Sequence, residues 1–240
     1  MSATLAPDDV ADDEQPPPRR ARRRLILIAA LLLVLAVGAT YLVAFSPVFG
    51  VRAVTVRGVP GPLADQVRRA AAIDSGTPLV RLDTAAVASR VGRIAVISSA
   101  RVDTSFPSTV VITVSERVAI GVVRQTATYV LVDRTGDQFR TVDVRPARLP
   151  LFVVPSGSDA RTTGGAVATV AAALPRKLRA HIASIQALDP AAITLLLKSG
   201  RVVRWGSADR SGAKAQILPT LLRQPGTQFD VTDPDRPFRR

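Results

Sequence analysis

Residues 25–45 read LILIAALLLVLAVGATYLVAF and carry no charge. At about 1.5 Å per residue, a helix of this run is roughly 31 Å long, which matches the hydrocarbon thickness of a bilayer. A helix also satisfies its own backbone hydrogen bonds, as lipid demands. Arg19, Arg20, Arg22, Arg23 and Arg24 precede the run directly, and residues 46–50 after it carry no charge before Arg52. That asymmetry of positive charge predicts a cytoplasmic N-terminal side. Tyr41 and Phe45 suit the outer interface. The expectation is a single-pass, type II plasma-membrane protein with a cytoplasmic tail (1–24), one transmembrane helix (25–45) and a large domain outside. A buried core helix of this length would normally show a polar stripe, and this run has none. Ala36-Val37-Gly38 resembles a signal-peptide cleavage site. Against cleavage, the apolar run continues beyond Gly38, and the tail before it holds Asp8, Asp9, Asp12, Asp13 and Glu14, unlike a compact positive leader.

The net charge is +13. The five arginines before the span are balanced by the five acids, so the excess belongs to the domain beyond it. Beside a membrane such a domain attracts anionic headgroups, anionic wall polymers or acidic proteins. Nucleic acid and a small-molecule substrate are not expected partners. The chain has no cysteine, which excludes disulfides, thiol catalysis and thiolate metal sites. It has no asparagine and so no N-glycosylation acceptor.

Catalytic patterns are lacking. His181 is the single histidine and has no second His or Cys to share a metal; it reads as a surface or capping residue. Ser211-Gly212-Ala213-Lys214 fits S-x-x-K, and Lys198-Ser199-Gly200 resembles the K-T-G of penicillin-binding enzymes. Their order is reversed and the third motif needs an asparagine. Ser211 reads instead as a helix cap and Ser199-Gly200 as a turn. Asp230, Asp233 and Asp235 cluster, as carboxylates ordinarily do at turns and strand ends. The expectation is no catalytic residue, no metal and no cofactor.

Residues 1–18 are acidic and then Pro-rich, and are expected to be disordered. Alternation predicts a strand over 51–58, and helical spacing predicts helices through Ala72 and after Asp83, where Val87, Val91 and Ile94 repeat. Strands follow at 97–103 and 109–118, with Phe106-Pro107-Ser108 as the turn between them. The second half predicts strands at 128–132, 138–142, 149–154, 182–188, 193–198, 201–205 and 227–232. Helices are predicted over 162–174 and 211–223, the last interrupted by Pro219. Glu116-Arg117 is the one charged pair in its strand; cross-strand ion pairing explains it better than a partner contact.

The order and spacing of these segments resemble the FtsQ/DivIB family of bacterial cell-division proteins, of the actinobacterial kind. The resemblance rests on FSPVFGVRAVTVRG (45–58), GTPLVRLDTAAVASRV (76–91), ARVDTSFPSTVVITVSERVAIG (100–121), YVLVDRTGDQF (129–139), RLPLF (148–152) and the closing RVVRWGS…K…LLR…FDVTDPDRP. Phe106 stands where family members often have Trp, and Ala119 where they often have Pro. The resemblance implies an α+β fold: a POTRA-like β-α-α-β-β domain (46–119), a β-rich domain with helices (120–232) and a flexible tail (233–240). It also implies a non-catalytic scaffold, concentrated at the division septum, that binds FtsB and FtsL and through them acts on FtsW and FtsI. In the family, FtsB adds a strand to the β domain's last strand. Here that strand is Thr227, Gln228, Phe229, Asp230, Val231 and Thr232, and an unpaired strand edge suits such a partner. Trp205, Lys214 and Arg223, with Arg204, are expected to flank it, and Pro234 and Pro237 to end the pairing.

Overall fold

The computed structural model describes residues 19–45, 49–157 and 159–239. The disorder expected for 1–18 lies outside these residues. A continuous helix, α1, covers Arg19–Phe45. Its side chains are described at Arg24 and over 26–38, and every large apolar one from Ile26 to Val37 is more than half exposed. Among the described residues no helix is long and apolar enough to cross a membrane.

After α1 come β1 (Ala53–Arg57), α2 (Gly61–Ala71), a 3-10 turn (Leu79–Arg81), α3 (Thr84–Gly92), β2 (Ile97–Ser105) and β3 (Thr109–Glu116). The expected β-α-α-β-β order is present. Pro62 suits the first turn of α2, where a missing N–H costs nothing. Ala64, Val67 and Ala71 line its buried face, and Val87 and Val91 that of α3. The strands form a sheet in the order β1-β3-β2. The central strand is the most apolar: Val110, Ile112 and Val114 alternate inward and are at most 2% exposed.

Among the described residues the second sheet has nine strands. They are β4 (Gly121–Gln125), β5 (Thr128–Val132), β6 (Gln138–Val142), β7 (Leu151–Val153), β8 (Ile182–Ala187), β9 (Ile193–Leu197), β10 (Val202–Gly206), β11 (Gln228–Asp230) and β12 (Phe238–Arg239), in the order β12-β11-β10-β9-β8-β7-β4-β5-β6. Three neighbouring pairs are parallel, β4–β7, β7–β8 and β10–β11; the two that join consecutive strands, β7–β8 and β10–β11, each need a crossover. The helix α4 (Ala160–Ala173), followed by the short α5 (Arg176–Arg179), supplies the first, and α6 (Ser211–Leu221) the second. Val167, Val170 and Ala171 of α4 and Ala215, Leu218 and Leu221 of α6 close one core with Ile185, Leu195, Val203, Trp205 and Phe229 of the sheet. Strand β4 and strand β12 are not apparent from sequence alternation. Pro219 neither breaks nor ends α6, which runs two residues past it. The missing N–H would have served the Ala215 carbonyl, and the turn beyond it still closes, with the Leu222 N–H donating to the Leu218 carbonyl at 2.9 Å.

The chain divides into two compact units. One comprises the described residues within Met1–Val54, with Ile73–Asp83 and Thr104–Val110; the other comprises Thr55–Ala72, Thr84–Asp103 and the rest from Val111. The division cuts through the three-stranded sheet and does not follow the 119/120 boundary. In the first unit, Val51 exchanges backbone hydrogen bonds with Gly76 and Thr77, Arg52 donates to Ser108, and Phe49 meets Phe106 edge-on at 6.3 Å. The Phe106–Pro107 peptide in the turn is cis.

Gly58 ends β1 with φ +93, and a Cβ there would lie 2.0 Å from the Val114 carbonyl oxygen. Gly58→Ala is therefore strained twice over and should cost about 2–4 kcal/mol, read as a lower urea midpoint.

Candidate functional site

The last expected strand is real but shorter, and its surroundings differ from the expectation. β11 runs parallel to β10 with Val202 opposite Gln228, Val203 opposite Phe229 and Arg204 opposite Asp230. The Val202 N–H donates to the Thr227 carbonyl at 2.8 Å, and the Val231 N–H to the Arg204 carbonyl at 2.9 Å. In a parallel ladder alternate residues face the same neighbour, so 227, 229 and 231 face inward to β10. The main-chain groups of Gln228 and Asp230 face outward. Phe229 and Val231 are fully within the core. The guanidinium of Arg201 lies 4.7 Å over the Phe229 ring and donates to the Leu222 carbonyl at 2.6 Å.

β11 is not the outermost strand. β12 pairs with it antiparallel, Phe229 opposite Arg239 and Asp230 opposite Phe238. The segment after 232, expected to be flexible, is a turn that brings the chain back. The Asp235 N–H donates to the Asp233 carboxylate at 3.0 Å and the Arg236 N–H to the Asp233 carbonyl at 3.2 Å. Arg210, whose backbone is left-handed at φ 53, grips Asp235 with two bonds of 2.9 and 3.0 Å. These bonds hold the Asp235 carboxyl below its ordinary value. Pro234 and Pro237 thus sit in a built return. No sequence pattern announces it, since the two strand residues lie among prolines and arginines.

Two expected flanking contacts lie inside the protein. Trp205 is 0% and Lys214 2% exposed. The Trp205 indole N–H donates to the Ser211 hydroxyl at 3.1 Å, and that hydroxyl donates to the Ala208 carbonyl at 2.7 Å. The Lys214 ammonium donates to the Trp205 and Ser207 carbonyls, both at 3.0 Å. The S-x-x-K pair therefore ties α6 to the end of β10, and its two polar groups are spent on structural bonds. Burial lowers the Lys214 pKa, with the nearby Asp209 carboxylate opposing. Arg204 and Arg223 are exposed. Gly206, with φ +75, passes so close to Thr232 that a Cβ would lie 2.8 Å from its methyl group. A cavity of about 820 Å³ opens on the sheet beside this corner, lined among others by Val153, Leu188, Thr194, Arg204 and Asp230.

His181 is exposed, and its Nδ1 lies 2.9 Å from the Lys177 carbonyl. Among the described residues no group of three His, Cys, Asp or Glu is placed to hold a metal.

Glu116 and Arg117 do form ion pairs. Glu116 meets Arg140 of β6 at 3.3 Å. Arg117 pairs with the buried Asp133 carboxylate, with Asp137 at 2.9 Å, and donates to the Ile97 carbonyl at 3.1 Å. Asp133 further accepts the Thr135 N–H at 2.9 Å, the Thr135 hydroxyl at 2.6 Å and the Asp137 N–H at 3.1 Å. Burial pushes the Asp133 carboxyl up, but these bonds outweigh it and hold it below its ordinary value. The Asp133 bond, against some burial cost, raises Arg117.

A family model described as "POTRA domain, FtsQ-type" matches residues 49–117, and one described as "Cell division protein FtsQ/DivIB, C-terminal" matches 121–234. "Cell division protein FtsQ" of Mycolicibacterium smegmatis is 41% identical over 85% of this chain and 61% of its own length. That of Streptomyces bingchenggensis is 34% identical over 85% of this chain and 81% of its own length. The chain spans just under two thirds of the length of the mycobacterial relatives. The extracytoplasmic domain of DivIB from Geobacillus stearothermophilus matches 46% of the chain at 18% identity and a TM-score of 0.35, too slight to add to this. The molecule is a mixed α+β protein with a POTRA part and a β-rich part. It belongs to the FtsQ/DivIB family of cell-division proteins.

Two expected outcomes test the corner and the Arg117 cluster. Lys214→Met leaves two carbonyls without a donor and should cost about 1–3 kcal/mol in urea denaturation. Asp133→Asn should cost about 2–3 kcal/mol at pH 7, because Arg117 loses its buried partner. A depressed carboxyl contributes stability above its unfolded pKa and loses it as pH falls through the folded one. The gap between wild type and Asp133→Asn should therefore shrink below about pH 4, measured by parallel denaturation at pH 7 and pH 3.

Proposed function

We propose that this chain is a non-catalytic scaffold of the division machinery, held in the plasma membrane by residues 25–45, that binds FtsB and FtsL outside the cytoplasm. Through that pair it acts on septal peptidoglycan synthesis by FtsW and FtsI. The carrying observation is the outer side of β11. Among the described residues, its outward main-chain groups, at Gln228 and Asp230, have only a two-residue strand beyond them. An extended partner segment gains main-chain hydrogen bonds there, and the neighbouring cavity on the sheet offers room for its side chains.

The anchor is supported by the uncharged run and by α1, whose apolar side chains lie open over three turns of helix. In water such a surface is unfavourable by about 25 cal/mol per Å², and a lipid environment removes that cost. Arg19, Arg20, Arg22, Arg23 and Arg24 set the orientation, with the preceding residues in the cytoplasm.

The inward face of Val231 decides how the edge is tested. Val231→Pro would break the bond to Arg204 and damage the sheet itself. Gln228→Pro removes an outward N–H and keeps the inward ladder, as edge positions tolerate. With the full chain in mild detergent, Gln228→Pro should weaken binding of the extracytoplasmic FtsB segment about tenfold at unchanged melting temperature, the worth of about one hydrogen bond. An unchanged affinity sinks the edge reading. Arg223→Glu should weaken the same binding if acidic partner residues meet this corner. A fluorescent fusion should gather at septa; diffuse envelope fluorescence in dividing cells would count against the division role.

A further inference from the structure

We infer that β12 is an internal stand-in for the partner strand: it occupies the outer side of β11 in the free protein and must leave for the partner to bind. This rests on the reading of β11 as the partner edge.

Three observations carry it. First, β12 takes the place an added strand would take. It pairs with Phe229 and Asp230, the middle and last residues of β11, so one edge cannot hold both. Second, the return is constructed. The Asp233 turn and the two-bond grip of Arg210 on Asp235 bring the chain back against its own sheet. Arg210 adopts a left-handed backbone at the residue that makes this grip. Third, the pairing is small. Among the described residues two of β12 pair with β11 and contribute few ladder bonds, whereas β4–β5 on the far side of the same sheet pairs over five residues. Strands held this weakly open locally at low free energy.

These features suit a plug better than a permanent strand. An uncovered β11 would present free N–H and C=O groups to any extended chain, which is an aggregation hazard. A short covering strand blocks casual pairing and yields to a longer segment with more ladder bonds. The Arg210–Asp235 grip, fully at the surface, tunes the plug without belonging to the core.

The apparent affinity of a partner falls by the fraction of time its edge is open. If β12 is docked about nine-tenths of the time, removing it raises affinity about tenfold. The experiment compares the full chain with one lacking residues 238–240, both in detergent, titrated with the FtsB segment. The expected result is about tenfold tighter binding by the shortened chain. The peptide of residues 233–240, added in trans, should compete with the FtsB segment on it. A second variant supplies the converse. The chain has no cysteine, so Asp230→Cys with Phe238→Cys introduces its only thiols. Directly opposed residues of an antiparallel pair lie about 4.5–5.5 Å apart at Cα, within disulfide reach. The oxidised form should lose binding at least about tenfold against its own reduced form, by the same open-fraction relation.

Weaker or unchanged binding on removal of 238–240, or equal binding by the oxidised and reduced forms, overturns the stand-in. If Gln228→Pro still weakens binding in that case, the edge reading survives and β12 is either part of the docking strand or a bystander. If Gln228→Pro has no effect either, the edge reading itself has failed.

Discussion

Parallel neighbours in a sheet require the chain to return to the end from which it started, and that return needs a helix or its equivalent. Between β10 and β11 the return is α6, and its placement decides the character of the whole corner. The helix begins with Ser211, whose hydroxyl takes the Trp205 indole N–H, and one turn later Lys214 reaches back to the carbonyls of Trp205 and Ser207. An ammonium buried among carbonyls is costly to place and costly to disturb. Here it fixes the entry of the helix against the end of the strand. The exit of the helix then fixes where β11 can lie. Phe229 and Val231 drop into the core, and the alternate residues are left to face outward.

A comparable constraint acts at the other end of the sheet. Arg117 follows the central strand of the three-stranded sheet and ends in a cage of Asp133, Asp137 and the Ile97 carbonyl. Asp133 is also the residue whose carboxylate organises the 133–137 turn between β5 and β6. One carboxylate thus serves a tight turn and the cation that follows β3. A hydrogen-bonded pair of this kind is valued less for net stability than for specifying one arrangement, since any other leaves a charge unpaired.

Much of the fold was legible in the residues, because alternation and helical spacing report burial on one face. β5, β6, β9 and α4 emerge nearly at their observed bounds for that reason. What periodicity does not report is which neighbour a residue faces. Trp205 and Lys214 read as flanking contacts because they lie near the last strand in sequence, and for the lysine charge normally marks exposure. Only the three-dimensional proximity of two carbonyls makes the lysine an interior residue. Val231 is a second case. Its place at the last predicted strand is readable, but the direction of its N–H depends on the parallel register with β10. β4 was missed because Ala119-Ile120-Gly121 gives no turn signal before it. β12 was missed because two residues between a proline and an arginine carry no period at all.

On the proposed reading of β11 as the partner edge, its covering bears on how an open sheet can keep a binding edge. A long uncovered edge is promiscuous, and a fully paired one is inert. The intermediate solution is an edge whose cover is attached to the same chain, so that its effective concentration is high while its pairing is short. Such a cover discriminates by length. A casual strand that makes two pairs gains nothing over the cover it displaces, whereas a segment that pairs along β11 and settles side chains beside Arg204 and Asp230 gains more than it removes. Specificity then comes from a difference between two pairings on the same edge, which is how a main-chain ladder with little sequence information can still choose its partner.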